Sequence, residues 1–87
     1  MSKLLVTGGT GSFGQTIVSR FINDSSFSEI RIFSRDEKKQ DELRHKWSNA
    51  KLKFYIGDVR DMSSLERPME DVDYVIFIPK IQVYWSF

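Results

Sequence analysis

Cysteine is absent, histidine occurs once at His45, and 13 basic side chains stand against 12 acidic ones for a formal net charge of +1 over 87 residues. Without cysteine there is no disulfide scaffold, no thiolate zinc site and no cysteine nucleophile, and the redox compartment stays open. One imidazole cannot form a histidine metal cluster by itself, so no metal is expected. The near balance of charge names no polyanionic partner. No apolar run approaches the roughly 20 residues that span a bilayer, and the opening Met1-Ser2-Lys3-Leu4-Leu5-Val6 lacks a signal-peptide cleavage region. A soluble, cytoplasmic protein with no membrane partner is the expectation. There is no internal repeat and no low-complexity linker. The composition that remains, 40% hydrophobic and 29% charged, suits one small domain with a thin core, burying about 60–65% of its unfolded surface.

Glycine is clustered rather than spread: four of the five lie at Gly8, Gly9, Gly11 and Gly14. Upstream, Lys3 to Thr7 is a short apolar run that reads as a buried strand. Downstream, Phe13, Ile17, Val18, Phe21 and Ile22 recur as the stripe of an amphipathic helix, ended by the turn residues Asn23 to Ser26. Glu29 to Phe33 reads as a second strand. Asp36 is placed to cap a charged helix over Glu37 to Trp47, with Leu43 and Trp47 on one face and His45 on its surface. Leu52 to Ile56 is a third strand. Asp61 caps a short helix bearing Met62, Leu65 and Met69, which Pro68 should shorten or bend. Tyr74 to Ile78 is a fourth strand. The order βαβαβαβ with short connections predicts an α/β fold with a parallel sheet and right-handed crossovers. This is part of a doubly wound Rossmann fold with strand order 3-2-1-4.

The spacing Gly8-x-x-Gly11-x-x-Gly14 between a strand and a helix has a physical purpose. The first glycine allows a tight exit from the strand, the second lets backbone approach a pyrophosphate, and the third lets the helix pack closely. The helix N-terminus then offers N–H groups and partial positive charge to phosphates. It is not a Walker loop, since no Gly-Lys-Ser or Gly-Lys-Thr follows. At the end of the second strand an NAD site wants a carboxylate for the ribose 2′-hydroxyl. This chain has Ser34 there, followed by Arg35, whose guanidinium suits a 2′-phosphate, and Lys38 can add a second charge. Two other readings stay open: solvated surface charges, or Asp36 as the ribose ligand, which favours NAD. Asp58 after the third strand can accept from an adenine amino group while Val59 packs on the ring; an ordinary turn Asp is the alternative.

These segments resemble the extended short-chain dehydrogenase/reductase family, above all its nucleotide-sugar dehydratases. Thr7-Gly8-Gly9-Thr10-Gly11-Ser12-Phe13-Gly14 is similar to the family's coenzyme loop. The runs Ile32 to Asp41 and Phe54 to Asp61 resemble the capsular-polysaccharide and flagellin-sugar UDP-N-acetylglucosamine 4,6-dehydratases, over Lys3 to Tyr74. The resemblance implies NADP as coenzyme, with NAD the alternative. It implies that Gly8, Thr10, Gly11, Ser12, Phe13 and Gly14 form the coenzyme-binding loop, that Ser34, Arg35 and Lys38 hold the 2′-phosphate, and that Asp58 and Val59 hold adenine. In such enzymes a tyrosinate takes the proton of the sugar's 4-hydroxyl while hydride passes from carbon 4 to nicotinamide; water then leaves across carbons 5 and 6 and hydride returns at carbon 6.

The chain departs from the family after its fourth strand. The family's Tyr-x-x-x-Lys pair is missing, since Tyr55 is followed four residues later by Val59, Tyr74 by Ile78, and Tyr84 by nothing. No catalytic residue is therefore assigned, and whether this chain is itself an enzyme stays open. The expectation is the N-terminal part of an NADP-binding domain over 1–78 and a divergent tail over 79–87, where Ile81, Val83, Trp85 and Phe87 alternate as in a strand. A UDP-sugar substrate belongs to the full-length enzyme only. A UDP-sugar 4-epimerase fragment and a non-enzymatic NAD(P)-sensing module on the same fold are the alternatives. Residues 31–60 carry nine Lys or Arg against five Asp or Glu. Their alternating signs read as a solvated helix face rather than a nucleic-acid surface. Val75 to Ile78 are expected at a sheet edge, so a homo-oligomer or self-association is anticipated.

Overall fold

The computed structural model describes residues 2–8 and 10–78. Its elements alternate strictly: β1 (Ser2–Thr7), α1 (Ser12–Phe21), β2 (Phe27–Ser34), α2 (Glu37–Trp47), β3 (Leu52–Ile56), α3 (Met62–Leu65) and β4 (Tyr74–Phe77). Every neighbouring pair of strands is parallel, and the order across the sheet is β3-β2-β1-β4. This is the expected Rossmann half-sheet. Strand β2 starts earlier than its apolar run suggests because Phe27 already pairs with Ser2, before a register irregularity at Ser2 and Lys3. The alternation expected over 81–87 lies outside the described residues.

Leu4, Leu5 and Val6 are buried at consecutive positions, each at most 1% exposed. Strand β1 is therefore covered on both faces, as a central parallel strand must be. On one face Leu4, Val6, Ile30, Ile32 and Leu52 meet Val18 of α1 and its C-cap Ile22, with Trp47 of α2 packed against them. Each fully buried Leu or Ile is worth about 1.5–3 kcal/mol, so this layer carries most of the hydrophobic stabilisation. Phe13 departs from the stripe expected of it. It stands 66% exposed in the first turn of α1, at the exit edge of the sheet, where the core gives it nothing to pack against.

The charged helix α2 is held by its ends as well as by Leu43. Asp36 Oδ1 accepts from the Lys39 N–H at 3.0 Å, a cap worth about 1 kcal/mol, and Ser48 closes the helix in the left-handed region at φ 40°. Helix α3 is a single turn whose N-terminal Asp61 accepts from Ser63. Met69, expected on that helix, lies beyond it in the following turn.

The opposite face of the sheet holds Leu5, Phe33 and Pro68, together with the buried Arg31 in the middle of β2. A guanidinium inside a sheet layer needs partners. Arg31 Nε donates to Glu29 Oε2 at 2.6 Å, and Nη1 donates to the carbonyls of Pro68 at 2.8 Å and Glu70 at 2.7 Å. These carbonyls belong to the turn between α3 and β4, so Arg31 ties the return of the chain to the sheet. Beyond it, Asp73 Oδ2 accepts from the Lys3 N–H at 2.8 Å and the Asp73 N–H donates to the Lys3 carbonyl, which sets β4 in register against β1. Among the described residues β4 forms the edge of the sheet, with Val75 and Phe77 exposed and Ile76 and Ile78 turned to the core. No described helix is long and apolar enough to cross a membrane.

Replacing Arg31 by Met should cost about 3 kcal/mol in urea unfolding, because it orphans buried carbonyls and a carboxylate. Glu29→Gln should cost under about 1 kcal/mol, since that carboxylate reaches solvent. Equal losses would show that the ion pair, not the carbonyl cap, is what Arg31 provides.

Candidate functional site

Because all four strands run the same way, their exits lie on one edge of the sheet. Hydrogen bonds link those exits in pairs: the Gly8 N–H donates to the Phe33 carbonyl at 2.8 Å, the Gly57 N–H to the Ser34 carbonyl at 3.0 Å, and the Ile78 N–H to Thr7. Between them opens a cleft of about 1170 Å³, lined by Gly8, Thr10 and Gly11, by Ser34 to Glu37, and by Gly57 to Arg60. Ligands of open α/β sheets bind in this place, outside the carboxyl ends of the strands. A smaller depression of about 330 Å³ beside Arg44, Asn49 and Phe54 lies at the opposite end of β3.

The glycine loop has two separate requirements. Gly8 turns at φ +74°, and a Cβ there would sit 3.0 Å from the Ile78 carbonyl oxygen, so a side chain is excluded by both strain and space. Gly11 has an ordinary φ of −74°, and a Cβ on it would meet nothing nearer than 3.8 Å. Nothing in the described chain needs Gly11 to be glycine. The open space in front of it is what a close-lying pyrophosphate requires. Gly11 is also the N-cap of α1, with no side-chain cap and no acidic residue in the first turn, so among the described residues the first-turn N–H groups stay available to an anion. The caps Asp36 and Asp61 show that the other two helices are closed by carboxylates. Gly14 is buried in α1.

At the end of β2, Ser34 is 8% exposed and lines the cleft. Its Oγ accepts from Gln40 Nε2 at 2.9 Å, and the same amide donates to the Tyr55 carbonyl at 2.8 Å, leaving the serine hydroxyl hydrogen for an acceptor in the cleft. Arg35 follows and reaches Asp58 Oδ2 at 3.5 Å. Of the two lysines next in line, Lys39 lines the cleft and Lys38 does not, because the helix turn carries Lys38 to another side. Asp58 and Val59 form the opposite wall. The hydrogen bonds from Arg60 hold the Asp58 carboxyl well below the usual carboxylate range, so it is an acceptor only. The site thus joins Gly8, Thr10, Gly11, Ser34, Arg35, Asp58 and Val59 around one cavity. Ser12, Phe13 and Gly14 stand behind it at the start of α1.

Four residues matter here that motif reading did not single out. The Phe33 ring is buried in the cleft floor beneath Gly57. Ser64 Oγ accepts from the Asp58 N–H at 3.2 Å and lies 2.9 Å from the Asp58 carbonyl, which shapes the loop that presents Asp58. Gln40 orders Ser34, and Arg60 grips Asp58. A signal for Gln40 was present: it shares the buried stripe of α2 with Leu43 and Trp47, where a polar side chain needs a reason. Arg60 and Ser64 had no such signal.

This cleft, on a doubly wound half-sheet with a glycine-lined helix terminus, defines a dinucleotide-binding class of protein. Residues 4–80 match the family described as "Polysaccharide biosynthesis protein", and the chain belongs to that family, a nucleotide-sugar group of the extended short-chain dehydrogenases/reductases. It is 57% identical over 75 residues to a protein named UDP-glucose 4-epimerase of Rickettsia bellii (strain OSU 85-389), and 59% identical over 75 residues to one of that name from Rickettsia canadensis. Each match covers 83% of this chain and 22% of the relative, so the chain spans about a fifth of these relatives' length. The solved structure of Pen from Bacillus thuringiensis superimposes with a TM-score of 0.86 at 29% identity, covering 94% of this chain and 25% of that one. The family expectation holds. The dehydratase branch does not follow from these matches, since the curated relatives carry the epimerase name.

The floor of the cleft is closely packed. A Cβ on Gly57 would lie 2.6 and 2.7 Å from the Phe33 ring and 2.8 Å from Ser64 Oγ. Gly57→Ala should therefore destabilise the chain by about 1–3 kcal/mol. Combined with Phe33→Leu, the loss should fall short of the sum of the two single losses by about 1 kcal/mol in chemical denaturation. Strict additivity would mean that the ring is not what excludes the side chain.

Proposed function

We propose that this chain forms the adenosine- and pyrophosphate-holding part of the coenzyme platform of a nucleotide-sugar enzyme, and that the coenzyme is NADP. The observation that carries this reading is the convergence, on one cleft, of an uncapped helix terminus behind Gly11 and the Arg35 guanidinium beside Ser34. The first-turn N–H groups of α1 bind pyrophosphate, and Gly8 and Gly11 keep the backbone bare enough for it to approach. Arg35 and the Ser34 hydroxyl hold the 2′-phosphate, and Asp58 accepts from the adenine amino group with Val59 against the ring. Asp36 Oδ1 caps α2 through the Lys39 N–H and the carboxylate keeps further acceptor capacity, so the choice of a 2′-phosphate over a ribose hydroxyl rests on Arg35 and Ser34.

Two sugar chemistries fit this platform and share a first step. The names of the curated relatives favour inversion at carbon 4 of a UDP-sugar. The resemblance of Ile32 to Asp41 and Phe54 to Asp61 favours 4,6-dehydration of UDP-N-acetylglucosamine. Either reaction has to break the carbon 4–hydrogen bond, and the nicotinamide ring of a bound coenzyme supplies the hydride acceptor. The described residues of this chain hold the far end of that coenzyme. The sugar and the acid–base groups that act on it are proposed for the whole protein.

Calorimetric titration tests the coenzyme reading. The 2′-phosphate of 2′-phospho-ADP-ribose should improve affinity about tenfold over ADP-ribose, as one charge-assisted contact does. Arg35→Ala should remove most of that difference and leave ADP-ribose binding nearly unchanged. Equal affinities in the wild type would turn the assignment to NAD, and no binding of either ligand would end the platform reading.

A further inference from the structure

Asp58 has more partners than a turn carboxylate needs. Its Oδ1 accepts from the Arg60 backbone N–H at 2.9 Å, its Oδ2 from Arg60 Nη2 at 2.7 Å, and Arg60 Nε lies 3.1 Å from both oxygens. This is a fork closed on one edge of the carboxylate, fixing its plane. The second cation comes from the other wall: Arg35 Nη1 reaches Oδ2 at 3.5 Å, from a side chain 54% exposed. That contact is long and easily exchanged. Arg35 and Asp58 both line the cleft, so the contact puts Oδ2 on the cleft rim with acceptor capacity beyond the Arg60 fork.

We propose that Arg60 is a positioning residue for base selection: its fork holds the Asp58 carboxylate so that Oδ2 faces the cleft as an acceptor, and the site thereby takes a base with an exocyclic amino group over one with a carbonyl in that place. The inference rests on reading the cleft as a coenzyme site. An amino group entering the cleft replaces Arg35 at Oδ2 and donates to it, which releases Arg35 toward the 2′-phosphate. A base with a carbonyl there turns an acceptor toward an ionised acceptor, and Arg60 leaves the carboxylate no freedom to turn away. With the fork removed, Asp58 can rotate into solvent, so the two bases become nearly equivalent.

The test uses the full chain with ADP-ribose and its hypoxanthine analogue, which differs by a carbonyl in place of the amino group, and reads the ratio of the two dissociation constants. The wild type should prefer ADP-ribose about tenfold. Arg60→Gln should bring the ratio near one, and Arg60→Lys, which keeps the charge without the fork, should restore part of it. Asp58→Asn, whose amide can donate to the carbonyl, should abolish or reverse the preference. A ratio that survives in Arg60→Gln, or a variant that weakens both ligands equally, overturns the role of Arg60 while the coenzyme reading stands. A wild type that binds both analogues equally yet still favours a 2′-phosphate also overturns base selection alone. A wild type that binds neither nucleotide ends both readings.

Discussion

The arrangement depends on the burial of β1 on both of its faces. Leu4 and Val6 face α1, Leu5 faces the layer of α3, and parallel partners occupy both edges. A strand held on four sides has one free direction, along its axis, so its neighbours set where its exit lies. The glycine loop sits at that exit. Gly8, whose N–H donates to the Phe33 carbonyl, takes its position from the sheet.

Around that exit, the polar groups are organised by neighbours that never touch the cleft's centre. Gln40 reaches back from α2 to Ser34 and Tyr55, joining the ends of β2 and β3. Ser64 gathers the turn after β3. Arg31 works on the same principle further from the site, since it fixes the turn that returns the chain to β4. In each case a side chain satisfies backbone groups that the strand ends would otherwise leave unpaired. The cost is a dense polar layer with little tolerance for extra volume, as the space above Gly57 illustrates.

Charge is distributed to the same end. The four arginines from Arg31 to Arg60 are each engaged by neighbours. Arg31 is internal, Arg44 pairs with Asp41, and Arg35 and Arg60 share Asp58. Around the cleft Asp36, Glu37 and Asp58 balance Arg35, Lys39 and Arg60, so cations and acceptors stand side by side there. A dinucleotide with phosphates at two points and a base amine at a third asks for this combination.

The sequence by itself determined the elements and their order. Periodicity and caps act locally, so α2 and β3 fell on the predicted residues; short connections between parallel strands leave a handful of strand orders, of which the strand–glycine loop–helix unit favours 3-2-1-4. It also marked residues that meet around one cleft: Gly8 and Gly11 after β1, Ser34-Arg35 at the end of β2, and Asp58-Val59 past β3. Only the tertiary structure decided what those residues touch. It chose Lys39 over Lys38 because the phase of a helix turn cannot be read to one residue from composition. It exposed Phe13 because a helix start can project beyond the sheet that its stripe is meant to cover. It made Arg31 a cap for distant carbonyls, and Arg60 the holder of Asp58. Such contacts depend on backbone groups brought together from far along the chain, and a single sequence carries no local mark of them.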